Sequence, residues 1–118
     1  MAERWNNPYS PDICDKVHEL FSGGASIAKV CVKLGIVKDT YYRWKREHKE
    51  FAAAAEAGEL ASQVHWEDLG ESGIIGELDK FAASSWMFVM KNRFRQDYRD
   101  EAAVQTNNTL IEKLLEKL

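Results

Sequence analysis

The chain has 118 residues, 45% hydrophobic and 30% charged, with 16 Lys and Arg against 19 Asp and Glu for a net charge of −3. That length suits one ordinary domain or two small ones sharing a core, and it is too short for a TIM barrel or a complete dinucleotide-binding fold. The mild acidity argues against a nucleic-acid binder, since such domains are usually basic, although an average can hide two opposite halves.

Pro8 and Pro11 are the only prolines, and the Ala-, Glu-, Leu- and Lys-rich stretches beyond them are interrupted by glycine. This pattern indicates an all-α chain, and no stretch sustains the period-two alternation of a strand. Residues 1–9 read as a frayed arm. Ser10 is placed to cap a helix, with Pro11 in its first turn and Asp12 adding favourable charge. Ile13, Val17, Leu20 and Phe21 follow at helical spacing, beside Cys14, until Gly23-Gly24 ends the run. Ser26 caps a short second helix through Leu34, with Ile27, Val30, Cys31 and Leu34 on one face. Gly35 suits the left-handed position that closes a helix. Ile36 and Val37 form a tight link to a third helix, which starts near Lys38, carries Tyr41 and Trp44 on one face and ends around His48.

Helix, short helix, Gly-containing turn, helix is the helix-turn-helix order. Ala28 is expected where a close crossing by the third helix excludes bulk, and Ile36 is expected to plug the gap between the helices. Tyr41 and Trp44 hold the third helix from one side and leave the other free. A plain corner of a helical bundle has the same element order; charge favours the DNA-binding reading. Residues 29–49 contain Lys29, Lys33, Lys38, Arg43, Lys45, Arg46 and Lys49 against Asp39 and Glu47, a local net of +5. Residues 50–79 contain eight acidic residues and no Lys or Arg, a local net of −8. Phosphate neutralisation supplies most non-specific affinity for DNA, so the local sum outweighs the chain total. Docking of a recognition helix by its N-terminal part places Lys38, Thr40, Tyr42, Arg43 and Arg46 at DNA, with Lys29 and Lys33 at the backbone. Asp39 serves its own helix dipole.

Phe51 to Leu69 reads as one Ala-rich helix with Phe51, Ala54, Ala55, Gly58, Ala61, Val64 and His65 along a stripe, and Leu60, Trp66 and Leu69 beside it. Gly70, Gly73 and Gly76 mark a break. A last long helix then runs from Glu77 into Arg95, and the two are expected to form a long antiparallel hairpin. Its segment WMFVM is apolar on every side, more than one hairpin can bury, which favours self-association through residues 51–95. The contact residues expected are Phe51, Leu60, Val64, Trp66, Phe81, Trp86, Phe88 and Met90, with His65 packed or interfacial. KNRFRQDYRD, residues 91–100, alternates basic and aromatic positions. It suits either a second DNA- or partner-facing site or salt bridges to the acidic block. AVQTNN reads as a linker, after which Asn108 caps a final amphipathic helix with Leu110, Ile111, Leu114, Leu115 and Leu118. That helix is expected to dock on a partner or on its own oligomer, and its pattern runs to the last residue, as in a piece of a longer chain. The organisation is therefore a helix-turn-helix domain over 1–49, a helical oligomerisation domain over 50–101, and a linker with a partner-binding segment over 102–118.

No run of about 18 apolar residues offers a membrane span, and MAERWNNPYSPD lacks the order of a signal peptide, so a cytoplasmic location is expected. Cys14 and Cys31 read as buried thiols rather than a disulfide. His18, His48 and His65 are far apart and no Cys-x-x-Cys occurs, so neither metal nor cofactor is expected. No phosphate-binding glycine loop or nucleophile–base pair stands out, which points away from an enzyme.

The string SPDICDKVHELFSGGASIAKVCVKLGIVKDTYYRWKREHKEF, an Ala- and Glu-rich helix, and the ending WMFVMKNRFRQDYRD together resemble the small terminase subunit of tailed double-stranded DNA bacteriophages. The likeness covers about residues 8–100. It implies a ring oligomer in the host cytoplasm that binds the viral packaging site and recruits and regulates the large terminase subunit, an ATPase and nuclease. Carried over, Lys33, Lys38, Tyr42, Arg43 and Arg46 touch DNA and Leu110 to Leu118 contact the large subunit. Many members of that family close with a short strand, whereas this tail reads as helical. Residues 9–46 resemble almost equally the DNA-binding subunit of an insertion-sequence transposase, which usually continues into a leucine-zipper heptad that residues 51–95 lack. A dimeric transcriptional repressor, and an adaptor without DNA contact whose basic patch meets its acidic block, are the remaining readings.

Overall fold

The computed structural model describes residues 7–98 and 101–117, with the backbone alone over 101–108. Its helices are α1 (Ile13–Ser22), α2 (Ile27–Leu34), α3 (Lys38–Glu47), α4 (Lys49–Ile74), α5 (Ala83–Arg93), α6 (Arg95–Tyr98) and α7 (Glu101–Glu116), with no strand among the described residues. The all-α expectation holds, and α1 to α3 form the helix-turn-helix.

Local chemistry sets α2. The Ser26 hydroxyl accepts the Lys29 N–H at 3.1 Å, satisfying one of the donors that a helix start leaves open. Gly35 closes the helix at φ 71°, where its own N–H reaches the Val32 carbonyl and the next N–H, of Ile36, reaches Cys31. This paired closure needs a residue without a Cβ, and it delivers Ile36 fully buried between the helices. Val17, Phe21, Val30, Cys31, Leu34, Tyr41 and Trp44 complete the core around it.

Several expectations change. Ser10 does not cap α1: its hydroxyl bonds Asp12, and its carbonyl accepts the Ile13 N–H at 3.0 Å. Residues 7–9 are docked rather than frayed; Asn7 donates to the Leu34 carbonyl at 2.9 Å, and Tyr9 stacks on His48 and meets Trp44 and Phe51 edge-on. Residues 1–6 of that arm lie outside the described residues. Ala28 is exposed, so no helix crosses there.

The core does not end at residue 49. His48 leaves the helical region at φ −125° and ψ 108°, and α4 begins at once and packs along α1. Its buried line is Phe51, Ala55, Gly58, Ser62 and Gly70. Val64, placed on that stripe from sequence, is 45% exposed. A helix advances 3.6 residues per turn, so once 58 and 62 face inward, 64 points away.

α4 also runs through Gly70, and Gly73 lies inside it, where a break was expected. These glycines are seats for aromatic rings. A Cβ on Gly70 would lie 2.1 Å from Trp86 Cζ2, and one on Gly73 would lie 2.2 Å from Phe81 Cδ1. The missing Cβ lets the Trp86 indole descend onto the helix, where its N–H reaches the Trp66 carbonyl at 2.8 Å, one turn before Gly70. Gly70→Leu is therefore expected to cost about 1–3 kcal/mol by overpacking, against a small gain in helix propensity. Tryptophan fluorescence and a thermal melt check this; an unchanged spectrum and melting temperature would refute the seat.

The returning arm is shorter than expected. α5 starts at Ala83, after a turn through Gly76 at φ 85° and Lys80 at φ 57°, and stops at Phe94. Phe81 on Gly73, Trp86 on Gly70 and Arg93 at Ser62 make the pair antiparallel. At the far end, α7 is continuous from Glu101, so AVQTNN is helical rather than a linker and Asn108 lies inside the helix.

Candidate nucleic-acid interface

The inner side of α3 is spent on the core: Tyr41 is fully buried and Trp44 nearly so, and both meet Phe51 edge-on. Burial pushes the Tyr41 phenol well above its ordinary value, so it stays neutral. The outer side carries Lys38, Tyr42, Arg43 and Arg46, all exposed. Lys29 and Lys33 are exposed on α2. Thr40 does not join them; it is only 9% exposed, on the inward side next to Tyr41, and cannot reach a groove.

Lys45 is basic by sequence but spoken for by structure. Its Nζ donates to Glu59 of α4 at 3.1 Å and lies 5.6 Å from the Tyr41 ring centre. The acidic helix thus removes one cation from the DNA side and ties α3 in place. Arg43 reaches Glu47 at 3.9 Å, with both side chains more than half exposed. Such a pair contributes little and leaves Arg43 free to turn to a phosphate or base.

Arg93 belongs to the basic–aromatic stretch, and its partners are not carboxylates. Its guanidinium donates to the Gly24 carbonyl at 3.1 Å, the Ala25 carbonyl at 3.0 Å and the Ser62 hydroxyl oxygen at 3.2 Å. Trp66 donates to the same Gly24 carbonyl at 2.9 Å, and Ser62 donates to Ala25 at 3.0 Å. Hairpin and helix-turn-helix are joined at the α1–α2 loop. Gly24, at φ 90°, has His65 and Trp66 against it, so His65 is a packed residue here. Nearby, Tyr98 donates to Glu67 at 2.5 Å, which pushes its phenol up to about 12, and Gln63 donates to Asp97 at 2.7 Å. The basic–aromatic stretch therefore meets α4 through hydrogen bonds, not salt bridges, among the described residues. In the sequence Arg93 lies three residues past the apolar run WMFVM, and nothing local marks it as the joint.

The expected oligomerisation residues divide. Phe51 and Met90 are fully buried within the chain, and Trp66, Phe81 and Trp86 are half-buried in the joints just described. Leu60, Val64 and Phe88 remain exposed, Phe88 at 69%. The hairpin buries more of its aromatic surface than expected because it folds back on α1 and the α1–α2 loop as well as on itself. Leu110, Ile111, Leu114 and Leu115 are exposed along α7, and Leu118 lies outside the described residues. Cys14 and Cys31 are free thiols, Cys31 buried. No helix among the described residues is long and apolar enough to cross a membrane.

A helix-turn-helix family model described as Transposase matches residues 11–66, from the turn before α1 to Trp66 of α4. No curated protein and no solved structure gives a significant match to the chain. The match, the buried face of α3 and its exposed cationic face agree. Residues 11–66 carry a helix-turn-helix DNA-binding domain similar to that of a transposase family.

Proposed function

We propose that the chain is the DNA-recognition component of a machine that cuts duplex DNA, with the catalysis on a partner and no chemistry of its own. The observation that carries this reading is the cationic outer face of α3, with Lys38, Arg43 and Arg46 exposed, inside the region matched by the transposase model. The finer reading favoured by that match is the helix-turn-helix subunit of an insertion-sequence transposase. Binding of duplex DNA is expected to weaken steeply with salt. Anisotropy titrations of the full chain at stepped salt test it; no binding at low salt would refute it.

A second reading, the small terminase subunit, is supported by residues beyond the match. The ending WMFVMKNRFRQDYRD carries that resemblance, and α4 with α5 makes an antiparallel hairpin with Leu60, Val64 and Phe88 uncovered. On this reading the hairpins build a ring, the rings bind a viral packaging site, and Leu110 to Leu118 recruit the large terminase subunit. Light scattering separates the two. A closed assembly above a tetramer supports the terminase reading; a monomer or dimer supports the transposase or repressor type.

A further inference from the structure

One feature lies outside the helix-turn-helix and beside it. A cleft of about 720 Å³ opens between the N-terminal ends of α2 and α3 on one side and the α5–α6 corner on the other. Ser26, Ala28 and Lys38 line the first wall, and Asn92, Arg95 and Gln96 line the second. In helix-turn-helix docking, the N-terminal end of the recognition helix enters the major groove while the preceding helix crosses the backbone. The α3 end in the first wall is therefore the end that enters the groove, α2 lies over the adjoining backbone, and the corner stands next to both.

The corner is held there by its own chemistry. Phe94, at φ −121° and ψ 54°, interrupts the helix and turns the chain between Arg93 and Arg95. Arg93 points inward and bonds the Gly24 and Ala25 carbonyls, within two residues of the Ser26 cap. Burial lowers the affinity of its guanidinium for the proton without removing its charge. Arg95, two residues on, is exposed and makes no ion pair among the described residues. Of the two acidic groups in the cleft, Glu59 is ion-paired with Lys45 at 3.1 Å, and Asp97 accepts from the neutral Gln63 amide at 2.7 Å and keeps its charge.

We infer that the α5–α6 corner is a second DNA-backbone contact, in which Arg95 binds a phosphate flanking the groove that α3 enters and Arg93 is the positioning residue that sets it there. The inference rests on the DNA-binding reading and extends it to residues outside the matched family region. Phosphate contacts position a protein on the duplex without reading sequence, so Arg95 adds affinity equally on every duplex. It also gives the hairpin a direct part in binding, since the corner continues directly from α5.

The test is the full chain titrated with a random-sequence duplex and with an unrelated duplex, each at several salt concentrations. Arg95→Ala is expected to weaken both several-fold and to reduce the slope of log affinity against log salt by about 1. Arg95→Lys keeps the charge and is expected to keep the slope. Arg93→Ala is expected to reproduce the loss, with no further loss in the Arg93→Ala/Arg95→Ala double variant. Unchanged affinity and slope in Arg95→Ala, with wild-type binding intact, overturn the second contact and leave the helix-turn-helix reading standing. That is also the outcome if the cleft instead receives an acidic protein segment. Additive losses in the double variant overturn the positioning role of Arg93. A wild-type chain that binds neither duplex overturns both readings.

Discussion

Phe51→Ala is expected to unfold the helix-turn-helix rather than merely to separate subunits. The ring is fully buried and is met edge-on by Tyr9, Tyr41 and Trp44, at centroid distances of 6.2, 5.6 and 5.5 Å. Removing a buried Phe costs about 3–5 kcal/mol, because the lost transfer energy is compounded by a cavity that rigid neighbours cannot fill. All three neighbours are aromatic rings, Tyr9 from the segment before α1 and Tyr41 and Trp44 from α3, so collapse into the space is restricted. For a chain of this size each kcal/mol shifts the melting temperature by about 4–8 °C, so a fall of more than about 12 °C is expected. Circular dichroism melts of the variant give the answer. A fall in assembly mass with an unchanged melting temperature would instead make Phe51 an interface residue. The effect should not depend on protein concentration, since the core belongs to one chain.

Reversing Arg43 and Arg46 to Glu is expected to abolish useful DNA affinity while the fold survives. Both side chains are exposed on the outer face of α3, and the single ion pair of Arg43, to Glu47 at 3.9 Å, is solvent-screened. Each arginine loses either phosphate neutralisation or a base contact worth about 1–3 kcal/mol, and each new carboxylate repels the duplex. Together the loss should reach about 100-fold or more at about 0.1 M salt. Anisotropy on a duplex measures the affinity, and a thermal melt confirms that structure is retained. Affinity within a factor of two of wild type would move the DNA face away from α3. The contrast with Lys45 is instructive: its charge is answered by Glu59, so its loss should appear first in stability.

The parts of the fold that sequence made legible are those governed over a few residues. Ser26 caps α2 because an N-terminal hydroxyl has an open N–H three residues on, and Gly35 closes it because the left-handed turn excludes a Cβ. Tyr41 and Trp44 share a face because they are one helical turn apart, which leaves Arg43 and Arg46 outside by the same geometry. The concentration of positive charge on residues 29–49 follows from counting alone. Thr40 shows where this ends: its position in α3 is local, but its burial depends on how far α3 tilts into its neighbours.

Tertiary structure decided what covers each apolar or charged side chain. Phe51 and Val64 are equally apolar in sequence, yet the first fills the core and the second faces outward, because the phase of α4 is set by α1 and not by α4 itself. Gly70 and Gly73 carry the mark of a helix break, and only the arrival of Trp86 and Phe81 turns them into seats. Arg93 finds its partners across 69 residues, at Gly24, because the hairpin returns to the α1–α2 loop. Caps and periodicity act through bonds within one or two turns, so residue order contains them. The choice among distant partners is a competition between packings of similar composition, and only the folded chain contains its outcome.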